Sequence, residues 1–159
     1  MLMQKINRSL SNRFYTTGLS MSFFIKAFEH IDEIQAALAA NNQRIVVCYC
    51  AAWCRTCDGY LEAFKELSQK FPEQVFLWVD IEDEESLLDD LDVENFPTIL
   101  IQEAGSNRFF GTMLPYIAHL ERLLLNTQEG QVIKSDEGPR EISELLAAGP
   151  LCHTSCPII

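Results

Sequence analysis

Apolar residues recur along this chain with two alternating periods. Ile31, Ile34 and Leu38 stand at i, i+3 and i+7 among alanines, on one face of a helix that Asn41-Asn42 ends. Ile45-Val46-Val47-Cys48-Tyr49-Cys50 follows as an unbroken β-branched and aromatic run, the pattern of a strand buried on both faces in the middle of a sheet. Tyr60, Phe64, Leu67 and Phe71 then fall at i, i+4, i+7 and i+11, a long amphipathic helix that Pro72 stops. Val75-Phe76-Leu77-Trp78-Val79 reads as the next buried strand.

Farther on, Leu87, Leu88 and Leu91 suggest a short helix inside an acidic segment that runs from Asp80 to Glu94. Pro97 precedes the strand Thr98-Ile99-Leu100-Ile101, at a position where its missing N–H does least damage. Arg108-Phe109-Phe110 is its expected hairpin partner across a turn containing Gly105-Ser106-Asn107, and Gly111 closes that strand. Pro115 is expected to begin a helix with Tyr116, Ile117, Leu120, Leu123 and Leu124 on its apolar face. Strands alternating with helices, then a hairpin and a helix, read as an α/β sheet covered on both faces.

The pattern sets the boundaries. Residues 21–127 form the expected domain, after a basic leader over 1–20 and before a C-terminal extension over 128–159. Ser22–Phe28, aromatic-rich, reads either as a first strand or as the tail of the leader. Within the extension, Ile142, Leu145 and Leu146 could form a helical turn or two before Gly149-Pro150.

Composition narrows the class. With 159 residues and 48% apolar content the chain can bury a core, and its net charge of −11 argues against a phosphate-neutralising surface, so no nucleic-acid partner is expected. Residues 1–28 carry Lys5, Arg8, Arg13 and Lys26 and no acid. That start reads as an unstructured leader or, alternatively, as an organellar presequence. The first 20 residues lack a continuous apolar h-region, and no stretch approaches the roughly 20 apolar residues that span a bilayer. A cytoplasmic protein without a membrane anchor is the expectation.

Of the six cysteines, Cys48, Cys50, Cys54 and Cys57 crowd into one short stretch, whereas a stapling framework would spread them. Trp53-Cys54-Arg55-Thr56-Cys57 lies between a buried strand and a helix, which makes a reversible dithiol the leading reading. Zinc needs four ligands and the motif offers two; Cys48 and Cys50 complete the set only on paper, because a buried strand does not readily turn both side chains toward a helix start. Those two read as small core residues. Cys152 and Cys156 read as thiols of a tail, with an accessory redox pair as the alternative, and His30, His119 and His153 have no ligand spacing. Asp58 and Asp80 are the acids expected near the site. No metal or cofactor is expected.

Trp53-Cys54-x-x-Cys57 with Phe96-Pro97-Thr98 about forty residues later resembles the thioredoxin family over about 21–127, and Gly111 resembles the glycine that the family keeps between its last strand and last helix. The resemblance implies a mixed four- or five-stranded sheet, Cys54 exposed at the N-terminus of the second helix, and Pro97 as a cis-proline beside the disulfide. It implies that Cys54 attacks as a thiolate, that Cys57 resolves, and that Trp53, Phe96 and Pro97 meet the substrate. An ordinary thiol is only roughly 3% ionised at pH 7, so Arg55, Thr56 and the helix N-terminus are expected to tune the nucleophile.

The sequence also departs from the family pattern. Arg55-Thr56 replaces the Gly-Pro of thioredoxins proper, Cys48 stands where the family places a buried Asp, and Trp78 stands where it places a Lys. A thiol–disulfide oxidoreductase remains the expected function, acting on protein or small-molecule disulfides and re-reduced by a thioredoxin-reductase-type or glutathione-based system. The competing reading is a binding or assembly module with little redox turnover.

Overall fold

The computed structural model describes residues 22–40, 44–128 and 137–150. The basic leader, Asn41-Asn42 and the Cys152/Cys156 pair lie outside the described residues. In chain order the elements are β1 (Phe23–Ile25), a 3-10 turn (Ala27–Glu29), α1 (Ile31–Ala40), β2 (Arg44–Cys50), α2 (Arg55–Lys70), β3 (Val75–Asp80), a second 3-10 turn (Glu85–Leu88), β4 (Thr98–Glu103), β5 (Ser106–Thr112), α3 (Ile117–Gln128) and α4 (Ile142–Ala148).

The sheet has five strands in the order β1-β3-β2-β4-β5. β3 runs parallel to β1 and β2, while β4 is antiparallel to β2 and β5, so the sheet is mixed and β2 is central, as its unbroken apolar run predicts. Every residue of β2 is buried, and alternate residues feed two cores because side chains alternate across a strand. Ile45, Val47 and Tyr49 join Ile34 and Leu38 of α1 and Ile142, Leu145 and Leu146 of α4. Val46, Cys48 and Cys50 join Tyr60, Phe64 and Leu67 of α2 and Leu120 and Leu124 of α3. Fully burying a side chain such as Phe64 or Leu100 contributes roughly 1.5–3 kcal/mol, so these two layers supply most of the fold's driving force.

α4 is thus continuous with the core, although it lies beyond residue 128. Gln102 of β4 pins it: its side-chain amide donates to the Arg140 carbonyl (2.9 Å), and its Oε1 accepts from the Ile142 N–H (2.9 Å). The Asn107 amide donates to the Pro139 carbonyl (3.0 Å), and a Cβ on Gly138, at φ +120°, would stand 2.7 Å from that amide. Only glycine fits there.

Several expected boundaries move. β1 is confined to Phe23–Ile25, and the chain then coils at Lys26 (φ +54°) into the first 3-10 turn. The leucines of the acidic segment form only the 3-10 turn Glu85–Leu88, with Leu87 and Leu88 buried. The hairpin turn is the pair Ala104-Gly105, both at positive φ, so Ser106 and Asn107 belong to β5. Gly111 is paired with Ile99 inside β5, one residue before its end, and α3 begins at Ile117, two residues later than the proline signal suggests. Among the described residues no helix is long and apolar enough to cross a membrane.

Candidate functional site

The site forms where β2 ends. Its last residue, Cys50, passes to Ala51, whose carbonyl accepts the Cys54 N–H (2.9 Å), and the chain turns directly into α2. Cys54 is the N-cap residue in extended backbone, and no side chain caps the first turn of the helix. The Cys57 N–H donates to the Cys54 carbonyl (3.1 Å), which sets the second cysteine of the motif one turn inward. Cys54 is a half-buried free thiol, while Cys57 is buried at 4% exposure.

Cys57 is bridged, and its partner is Cys50. The expected internal bridge is Cys54–Cys57, and here it joins Cys50 to Cys57 instead; Cys50 is buried in the core as expected, and is bridged as well. The cause is geometric. Cys57 opens the inward stripe of α2 that continues through Tyr60, Phe64 and Leu67, and this stripe packs on the β2 face that carries Cys48 and Cys50. The Cα atoms of Cys50 and Cys57 are 6.0 Å apart, within ordinary disulfide reach. The signal lay in the periodicity: Cys57 falls on the buried stripe three residues before Tyr60, whereas Cys54 precedes the helix.

Cys48 is the third sulfur below the helix. Its Sγ is 3.9 Å from Cys50 Sγ, and because the bridged sulfur carries no proton, Cys48 is the donor of that contact. Complete burial pushes the Cys48 thiol pKa well up, so it stays protonated. Cys48 lies in register with Trp78 of β3, which puts the two departures from the family's Asp and Lys on adjacent strands. The nearby Tyr60 hydroxyl is buried and has no hydrogen-bond partner among the described residues. Its pKa is raised, first by burial and then by Cys48.

The Phe96-Pro97 peptide is cis, as the resemblance implies. The antiparallel register ends with Tyr49 opposite Thr98, so one further step sets Pro97 opposite Cys50. The Pro97 carbonyl accepts the Met113 N–H (3.0 Å), and Thr98 Oγ1 donates to the Asn95 carbonyl (2.7 Å), which fixes this loop to β5 and to its own approach. Trp53 is 63% exposed and meets Phe96 edge to face at 5.7 Å between ring centroids. Trp53, Cys54, Phe96 and Pro97 thus gather at one end of the sheet, with Arg55 and Thr56 exposed on the first turn of α2.

Of the two acids singled out, Asp58 is exposed on α2, and Asp80 accepts the Glu82 N–H (3.0 Å) in its own turn. Among the described residues no group of three or more His, Cys, Asp or Glu side chains could hold a metal ion.

Comparison with known proteins agrees with this geometry. The family described as Thioredoxin matches residues 27–112. Thioredoxin of Callithrix jacchus is 33% identical over 82 residues, 51% of this chain and 78% of its own length. An H-type thioredoxin of Picea mariana is 38% identical over 68 residues, 42% of this chain and 54% of its own. Among solved structures, oxidised thioredoxin O1 of Arabidopsis thaliana superposes with a TM-score of 0.52 at 21% identity, covering 67% of this chain and 97% of that one. Spinach chloroplast thioredoxin f gives 0.54 at 18% identity, covering 72% and 93%. Family match, relatives and fold agree: this chain belongs to the thioredoxin family, whose members are thiol–disulfide oxidoreductases.

Proposed function

We propose that the protein exchanges its own dithiol with disulfides of proteins or small molecules, with Cys54 as the attacking thiol and Cys57 as the resolving one. The observation that carries this reading is the pairing of positions: Cys54 is a half-buried free thiol at the N-cap of α2, and a disulfide-forming Cys57 lies one turn beneath it. The Cys54 thiolate attacks one sulfur of the substrate, and the other substrate sulfur leaves as a thiolate. Cys57 then attacks Cys54 Sγ, which frees the first substrate sulfur and closes Cys54–Cys57. Two electrons pass to the substrate. The Trp53–Phe96 edge and the backbone before Pro97 shape the contact, and Arg55 and Thr56 tune the nucleophile.

Re-reduction falls to a thioredoxin-reductase-type or glutathione-based donor; a complex of thioredoxin f2 with ferredoxin:thioredoxin reductase is among the similar structures. The crowding of free and exchangeable thiols suits a reducing compartment, so we place the protein in the cytoplasm, with organelle import through the basic leader as the alternative. The test is trapping. Cys57→Ser should retain partners as mixed disulfides that reductant releases, and Cys54→Ser should retain none.

A second reading is favoured by the Cys50–Cys57 bridge itself, since Cys54 has no free resolving thiol in that state. In it the chain is a binding or assembly module of thioredoxin fold with little turnover. A pull-down indifferent to both serine substitutions would choose it over the enzyme.

A further inference from the structure

We propose that Cys50 is a third redox-active cysteine of this site: it takes over the disulfide from Cys54, so that oxidation ends on the buried Cys50–Cys57 pair and leaves Cys54 reduced. The proposal rests on the dithiol chemistry proposed above. Four observations carry it. The disulfide joins Cys50 to Cys57, Cys54 is free, both bridged residues are buried at 1% and 4% exposure, and the Cys48 thiol lies 3.9 Å from Cys50 Sγ.

Burial makes Cys57 a pivot between two partners. Cys54 approaches it from the solvent side, at the N-cap, and Cys50 approaches it from the strand beneath. An external disulfide can meet only Cys54, because the other two sulfurs are covered. The first bridge to form after substrate turnover is therefore Cys54–Cys57. The Cys50 thiolate then attacks Cys57 Sγ, the Cys54–Cys57 bond breaks, Cys50–Cys57 forms, and Cys54 leaves as a thiolate that takes up the proton Cys50 gave up. No external oxidant enters this step, and no net electrons move.

The groups around Cys50 suit a transient thiolate there. The Cys48 S–H can donate to it, and the buried Tyr60 hydroxyl in the same cluster has no hydrogen-bond partner among the described residues. Cys48 is a poor competitor for the bridge itself: two residues apart on one strand, it and Cys50 are held near the upper limit of disulfide reach. The consequence is a monothiol state. With Cys57 engaged below, a mixed disulfide on Cys54 has no resolving partner, and the internal bridge can be reopened only when Cys54 attacks Cys57 in the reverse exchange.

The chain is well made for a direct test. Trypsin with chymotrypsin can cleave after Tyr49, Trp53, Arg55 and Tyr60, so that Cys48, Cys50, Cys54 and Cys57 fall in four separate peptides. Full-length protein would be reduced, oxidised with glutathione disulfide, quenched with N-ethylmaleimide at intervals and mapped by mass spectrometry. Cys54–Cys57 should appear first and give way to Cys50–Cys57, with maleimide then labelling Cys54. In Cys50→Ala the bridge should remain at Cys54–Cys57 and be reduced by dithiothreitol at least tenfold faster than the bridge of the unaltered protein. If Cys54–Cys57 persists with Cys50 labelled, or if the two reduction rates agree, the role of Cys50 is overturned while the oxidoreductase reading stands. If no bridge forms among these cysteines, both fall together.

Discussion

Ile45, Val47 and Tyr49 point to one side of β2, and Val46, Cys48 and Cys50 point to the other. Both sides are buried, yet their polar groups differ. On the first, the Tyr49 hydroxyl donates to the Leu87 carbonyl (2.8 Å) and the Gln102 amide is bonded to Arg140 and Ile142, while the buried Ser86 hydroxyl beside α4 has no partner among the described residues. On the second, a thiol, a disulfide and a phenol with no partner among the described residues share the core with Phe64 and Phe76. Each side thus keeps one buried hydroxyl without a partner among the described residues, and what sets the second apart is its sulfur: Cys48, Cys50 and Cys57 together. The three sulfurs mark the second side as the one that carries chemistry.

The largest effect should come from the first side. Leu146→Ala removes a buried side chain of α4 and should lower unfolding free energy by about 2–5 kcal/mol in urea titration. A loss below about 1 kcal/mol would mean that α4 is not part of that core. Next comes the pair of tyrosines. Tyr49→Phe strands the Leu87 carbonyl and should cost about 0.5–1.5 kcal/mol, whereas Tyr60→Phe deletes a hydroxyl with no partner among the described residues and should be neutral or stabilising. Equal losses at both positions would erase the contrast between the two sides.

The smallest effects should come from two acids near the loops that flank the first side. Burial raises the pKa of Glu84, so its folded form holds a proton to higher pH than its unfolded form does, and ionisation opposes folding. Glu84→Gln should therefore stabilise at pH 7, and the gain should shrink toward zero as pH falls to about 4. Asp89 is the reverse case. Its hydrogen bonds from Arg140 (3.0 and 2.9 Å) lower its pKa, so its contribution is present above about pH 4 and fades as pH falls through the depressed value. Asp89→Asn should cost less than about 1 kcal/mol at neutral pH in low salt and nothing in strong acid, by thermal melts across the range.

Most of the sheet was legible because its signals are local. The continuous run at 45–50 fixes a doubly buried strand, the stripe from Tyr60 to Phe71 fixes its covering helix, and Trp53-Cys54-x-x-Cys57 with Pro97 places the site between them. What escaped the sequence was non-local. The attachment of α4 depends on Gln102 and Asn107, polar residues of a hairpin that nothing in their own neighbourhood ties to residues 137–142. The partner of Cys57 depends on which sulfur lies beneath the helix, and spacing along the chain favours the nearer cysteine while packing favours the one on the strand. The start of α3 shifted because Pro115 marks a turn ahead of the helix rather than its first residue.

The Cys50–Cys57 bond also ties the oxidation state of the protein to its folding equilibrium. It closes a loop across a sequence separation of 7, for which loop-closure entropy alone gives about 2.5 kcal/mol of stabilisation at 25 °C. Because the thermodynamic cycle must close, the native fold holds that bond against reduction by the same amount relative to the unfolded chain. Oxidised and reduced forms should therefore melt at different temperatures, and a cell that alters its thiol balance would alter how long this protein survives unfolding.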